Sequence, residues 1–201
     1  FPEYMHFYST RQYRYEGTPA SNSNNRNTLL FRDPTVDGLK TGHTAAAGYC
    51  LVATSKRDFP NVGQRRLLSI VLGAASENSR ANESQKLLNW GYTAFDAVKL
   101  FDAGQAADTP AVWKGTQSTL KIGRPDAIVV TVPSGSAGKL GTEIVRKDPL
   151  IAPFTKGQPI GTLKVKLGGE QVAEVPLVAL EDVGQAGIFG RAWDAIRLWI
   201  K

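Results

Sequence analysis

The chain has 201 residues, of which 42% are hydrophobic and 21% charged, with a formal net charge of +6. That length can bury a real core in one large or two small domains, and the composition argues against disorder. The positive charge is shared by both halves without a basic run, which argues against nucleic-acid binding, and one cysteine with two histidines excludes an internal disulfide and most metal sites.

No apolar run is long enough to cross a bilayer. The chain opens Phe1-Pro2-Glu3-Tyr4 without an initiator methionine or a targeting segment, so it reads as part of a longer protein. Residues 1–30 mix aromatics (Tyr4, Phe7, Tyr8, Tyr13, Tyr15) with the polar stretch "TPASNSNNRN". Asn, Ser and Pro favour turns there, and an exposed loop is expected. After "LLF" and the Asp33-Pro34 turn, "GYCLVATSKR" and "RRLLSIVLGAAS" read as adjacent antiparallel strands joined by a hairpin-like loop. Cys50, between Tyr49 and Leu51, is expected to be a buried strand residue rather than a reactive thiol.

The period then changes. Ser84, Leu87, Leu88, Gly91, Tyr92 and Phe95 recur at three- and four-residue steps, predicting a helix with Ser76 or Ser79 as its cap. From about Val98, turn signals arrive every few residues, with short strands such as "AIVVTV" and "GTLKVKL" between them. Leu163, Val165 and Leu167 alternate with Lys164 and Lys166, the pattern of a half-buried strand. Five or more such strands predict a small β-sandwich or barrel. In the last stretch, "GIFGRAWDAIRLWIK", Phe189, Trp193, Ile196 and Ile200 share one side with Trp199 beside them. Arg191, Asp194, Arg197 and Lys201 share the other. That amphipathic pattern suits a helix lying on a membrane surface, and also a terminal helix docked on its own domain.

The stretch "DGLKTGHTAAAGY" (37–49) carries the chemistry. Lys-Thr-Gly is one of the elements of penicillin-binding proteins and class A β-lactamases, beside S-x-x-K and a Ser-x-Asn-type element. A strand next to an active serine can pair its backbone with an extended peptide. Gly42 lets backbone and ligand approach closely. Thr41 offers a hydroxyl to a terminal carboxylate, and Lys40 brings positive charge that favours the anion. The backbone N–H of His43 can serve as half of an oxyanion hole.

"VDGLKTGHTAAAGYCLVATSKR", with the upstream "FPEYMHFYSTRQYRYEG" and "SNNRNTLLF" and the downstream "SQKLLNWGYTAF", resembles penicillin-binding protein 5-type D-alanyl-D-alanine carboxypeptidases over essentially the whole chain. The resemblance implies an α+β architecture. Residues 1–96 would be the C-terminal part of a β-lactamase/transpeptidase-like domain, 97–185 a small all-β sandwich domain, and 186–201 an amphipathic membrane-surface helix. It implies a serine hydrolase that trims the terminal D-alanine of peptidoglycan pentapeptides through an acyl-enzyme and binds β-lactams, without cofactor. It would work in the bacterial periplasm, on the outer face of the inner membrane. Arg26, in "NNRNTLL", matches a family arginine near the substrate carboxylate. Its guanidinium suits that task, and a solvated loop arginine fits the sequence almost equally well.

The family's nucleophilic serine and its lysine base lie in an S-x-x-K element upstream of Lys-Thr-Gly, as does Ser-x-Asn. Ser118–Lys121 and Ser136–Lys139 match S-x-x-K literally, and Ser23–Asn25 and Ser76–Asn78 match Ser-x-Asn. Both lysine matches fall in the β-rich portion, where residues three apart on a strand point to opposite faces. The chain is therefore expected not to acylate by itself, its partner being the missing N-terminal part of the same protein. A non-catalytic module, a membrane-held stalk or partner-binding surface, is the competing reading. A β-lactamase is a third, disfavoured by the added β-domain and helix.

Overall fold

Residues 1–200 are described by a computed structural model, Ile200 by its backbone alone. The chain divides into two compact units, residues 1–96 and 97–201.

The first unit contains α1 (Met5–Ser9), α2 (Leu29–Arg32), β1 (Val36–Thr44), β2 (Gly48–Phe59), β3 (Gly63–Ala74) and α3 (Glu77–Ala94). The three strands form an antiparallel sheet in the order β1-β2-β3. Alternation along β2 and β3 turns Leu51, Ala53 and Leu67 toward one face. There they pack with Ala81 and Leu88 of α3 and with Leu29, Leu30 and Val36. Each fully buried leucine contributes roughly 2 kcal/mol, so Leu29, Leu30, Leu51 and Leu88 dominate this small core. The Ser76 Oγ accepts the Ser79 N–H at 3.1 Å and caps α3. The buried stripe of α3 is Arg80, Ala81, Ser84, Leu88 and Tyr92. Leu87, expected in that stripe, is exposed, because at this point of the helix only one of two consecutive leucines can face the sheet. Phe95 begins the next strand instead of ending the helix.

On the opposite face, Asp37, Thr54 and Arg66 link the three strands. The Arg66 guanidinium donates to both Asp37 oxygens at 2.7 Å and also to the Thr54 hydroxyl, which donates to Asp37 Oδ1 at 2.7 Å. Burial pushes the Asp37 carboxyl up, but the hydrogen bonds from Arg66 and Thr54 and the nearby cations outweigh it, leaving it below its ordinary value. Asp33 is also held low: burial is outweighed by hydrogen bonds from Thr35 and by Arg57. Carboxyls depressed on folding contribute stability that is present above their unfolded value, about 4, and lost as pH falls through the folded one. Urea unfolding read by Trp90, the one tryptophan in residues 1–96, should therefore weaken below about pH 4. Asp37→Asn should lower stability at neutral pH by about 1 kcal/mol, the scale of a half-exposed bidentate pair, and lose part of that acid dependence. Beyond this cluster the same face of β3 exposes Leu68, Ile70 and Leu72, and among the described residues β3 pairs with β2 alone.

β4 (Phe95–Phe101) begins at the last two residues of the first unit and continues into the second, which then runs β5 (Ala106–Asp108), β6 (Val112–Trp113), β7 (Ile122–Gly123), β8 (Ile128–Pro133), β9 (Leu140–Arg146), β10 (Leu150–Ile151), β11 (Pro159–Leu167), β12 (Glu170–Ala179) and α4 (Ile188–Ile200). Its main sheet has the order β5-β7-β12-β11-β9, accompanied by the pairs β4-β8 and β6-β10. Inward residues of β8 (Ile128, Val130, Val132) meet Leu163 and Val165 of β11 and Leu177 and Ala179 of β12 in one core. The alternating pattern read from "GTLKVKL" thus buries Leu163 and Val165 and leaves Lys164 and Lys166 more exposed. Leu167, where Gly168-Gly169 turn the chain, is only half-buried.

Candidate functional site

β1 is an edge strand of the described sheet, its register with β2 running from Gly38 opposite Thr54 to Thr44 opposite Gly48. A cleft of about 800 Å3 follows this edge, lined by Asn25, Arg26, residues 39–44, Tyr49, Glu77 and Arg80. Lys40, Thr41, Gly42, His43 and Arg26, picked out in the sequence separately, therefore share one cavity. Alternation places Lys40 and Gly42 on one side of the strand and Thr41 and His43 on the other, so the cleft wraps the strand edge. The Lys40 Nζ donates to the Thr41 carbonyl at 2.6 Å. The His43 ring stacks on Tyr49 with centroids 4.0 Å apart. The Thr41 hydroxyl makes no hydrogen bond among the described residues, which leaves it open to an acceptor on a ligand.

Two residues that sequence reading passed over hold this wall in place. The Arg80 guanidinium is almost wholly buried and donates to Arg26 O at 2.9 Å, Gly42 O at 3.4 Å and Glu77 Oε1 at 3.1 Å. It also lies 5.5 Å from the Tyr49 ring centroid. It ties the loop carrying Arg26 and the Lys-Thr-Gly strand to the first turn of α3. Asn27, also buried, donates from Nδ2 to Gly38 O at 3.0 Å and accepts the Leu29 N–H at 3.2 Å. Asn25 accepts the Asn27 N–H and donates to Tyr8 O and Thr10 O. The repeated asparagines around Arg26 were the available signal. For Arg80 none was available, since a lone arginine in a polar helix start reads as solvated. Three cations, Lys40, Arg26 and Arg80, against the single Glu77 make the cleft attractive to an anion.

The literal motif matches are used otherwise. Ser76 is the α3 cap, and the Ser23 Oγ donates to Ala20 O at 2.8 Å. Ser136–Lys139 lies in a 3-10 turn, not on a strand as expected, because Gly135 with φ 76° turns the chain there. Ser118 sits in a bend where its carbonyl accepts the Val112 N–H, also off any strand. Both belong to the second unit, whereas every residue lining the cleft belongs to the first. Cys50 lies on β2 as expected but is half-buried. Among the described residues no group of His, Cys, Asp and Glu could hold a metal.

In α4, Phe189, Trp193, Ile196 and Trp199 are exposed, Phe189 at 92% and Trp199 at 89%. The Ile200 side chain and Lys201 lie outside the described residues. No described helix is long and apolar enough to cross a membrane.

Comparison with known proteins agrees along the chain. Residues 1–76 match the family described as D-alanyl-D-alanine carboxypeptidase, and residues 95–185 match the penicillin-binding protein 5 C-terminal domain. D-alanyl-D-alanine carboxypeptidase DacC of Escherichia coli is 40% identical over 176 residues, 87% of this chain and 43% of that protein. DacA of Haemophilus influenzae is 37% identical over 203 residues, 100% of this chain and 50% of that protein. The crystal structure of penicillin-binding protein 5 from Haemophilus influenzae superposes with a TM-score of 0.76 at 33% identity, covering 92% of this chain and 52% of that one. The chain spans about half the length of the curated relatives it matches.

Proposed function

The chain belongs to the penicillin-binding protein 5-type D-alanyl-D-alanine carboxypeptidases, and we propose that it is the C-terminal portion of such an enzyme, supplying one wall of its active site. The observation that carries this reading is the convergence of Lys40, Thr41, Gly42, His43 and Arg26 on a single cationic cleft along a strand edge.

In that reading a pentapeptide lies along β1 as an added strand. Thr41 and Arg26 hold its terminal carboxylate, by a hydroxyl and a guanidinium. Lys40 sets a positive field in the cleft, and the His43 backbone N–H stabilises the oxyanion. The serine of the family's S-x-x-K element, in the half of the protein this chain lacks, attacks the carbonyl of the penultimate D-alanine. Its proton passes to the lysine of that element. The C–N bond breaks, D-alanine leaves with a proton, and water hydrolyses the ester to regenerate the serine. A β-lactam presents a carbonyl and a carboxylate to the same groups and acylates the same serine. The exposed Leu68, Ile70 and Leu72 and the outer edge of β3 are the surface on which the missing half completes the sheet. Covalent labelling by a fluorescent penicillin tests this reading.

The second unit is read as two parts, residues 97–185 as a β-domain stalk and 186–201 as a helix resting on the outer face of the bacterial inner membrane. Its support is the apolar side of α4, with two exposed tryptophans suited to the lipid interface. Changing Trp193 and Trp199 together to Glu should abolish co-sedimentation with liposomes while the β-domain unfolds at its usual temperature. Undiminished binding by that double variant would sink the membrane assignment.

A further inference from the structure

We propose that Asp194 seats α4 on the β-domain, so that the helix meets its second surface as a fixed part of the unit and not as a tethered peptide. The Asp194 carboxylate accepts the Lys114 backbone N–H at 2.7 Å, across eighty residues of sequence. The Lys114 carbonyl accepts the Ala186 N–H at 2.8 Å. Both polar groups of one peptide residue are thus taken by the segment leading into and forming α4. Lys114 has φ 59°, in the left-handed region that residues with a Cβ seldom occupy. Such a conformation persists where the surroundings hold it, and here the helix segment is what holds it.

Neighbouring contacts extend the seat. The Arg197 guanidinium lies 5.6 Å from the Trp113 ring centroid. Leu198 closes a cleft with Trp113, Arg146 and Leu150. The approach to the helix is tied down as well, since the Thr116 N–H donates to Gly184 O at 2.8 Å. Among the described side chains of the helix, Asp194 and Leu198, four apart, are half-buried, whereas Phe189, Trp193, Ile196 and Trp199 stay exposed. At 3.6 residues per turn these are different sides of one helix. Docking on the domain and an apolar outward face therefore coexist. The acidic residue, which would be unfavourable against lipid, is turned to a backbone donor. The identity of the outward surface as a membrane rests on the function proposed above; the seat does not.

Limited trypsin digestion of the whole chain without lipid, followed by intact mass, reads the seat at the bonds after Arg191 and Arg197. Asp194→Ala should speed both cuts about tenfold, the size expected when one hydrogen bond to a charged acceptor is lost. Asp194→Asn keeps an oxygen acceptor and should stay within about twofold of the parent chain. Lys114→Gly keeps the backbone N–H and should also stay protected. Cleavage of Asp194→Ala at the parent rate would overturn the proposal, as would cleavage of Asp194→Asn as fast as Asp194→Ala. Liposome binding is read separately. If the parent chain fails to bind lipid while Asp194→Ala is still cut faster, the membrane reading fails and the seat stands.

Discussion

Replacing Arg80 by Leu should cost the first unit about 2 kcal/mol, seen as a lower urea midpoint in Trp90 fluorescence. The magnitude follows from what is left behind. Arg26 O and Gly42 O would lose a charged donor, and because both residues line an open cleft, water replaces part of what is lost and each carbonyl costs about 1 kcal/mol. The Glu77 contact adds little, because its carboxylate is half exposed and surface ion pairs contribute about 0–1 kcal/mol. Leucine fills the space of the arginine stem, so the loss measures hydrogen bonds more than packing. Arg80→Lys should recover only part of it, since one ammonium cannot match a planar fork aimed at three acceptors. An unchanged midpoint for Arg80→Leu would mean that the two carbonyls find water at no cost, and that Arg80 does not position the strand.

Gly42→Ala should have the opposite profile, with stability kept and acylation lost. A Cβ on Gly42 would meet nothing closer than the Cys50 Cβ at 3.7 Å, an ordinary contact, and no positive φ is required there. The fold therefore tolerates alanine to within about 1 kcal/mol. A ligand backbone lying along β1 would be displaced by that methyl group, and a shift near 1 Å in a reacting group costs about 10²-fold in rate. In the complete enzyme the second-order rate of penicillin acylation should fall by roughly that factor. Full-rate acylation by Gly42→Ala would show that no ligand backbone approaches β1 at this point.

Local patterns were legible in the sequence, and long-range ones were not. The Lys-Thr-Gly strand, the two strands after it and the Ser76-capped helix follow from period and turn chemistry within a few residues. The alternating strands of the second unit and the sides of α4 follow in the same way. Leu87 and Leu88 fit the helical spacing equally well, and only packing against Leu51 and Ala53 selects Leu88. The strand geometry that would set Ser136 apart from Lys139 does not apply, because Ala137–Lys139 form a short 3-10 turn with Ser136 as its N-cap. Arg80 and Asp194 both read as solvated charges on polar helix faces. Their partners lie 38, 54 and 80 residues away in sequence, so only the folded chain reveals them. The resemblance, by contrast, was carried by contiguous motifs, and these named the cleft residues before any geometry was known.

Labelling by a fluorescent penicillin, read by denaturing gel and intact mass, shows whether the nucleophile lies outside this chain. It is made on this chain alone and on the chain joined to the N-terminal half of its protein. No adduct is expected on the 201-residue chain alone, and a single adduct on an N-terminal serine is expected once the halves are assembled. An adduct on this chain alone, at Ser118, Ser136 or any other of its residues, would contradict this, as would an assembled protein that takes no label.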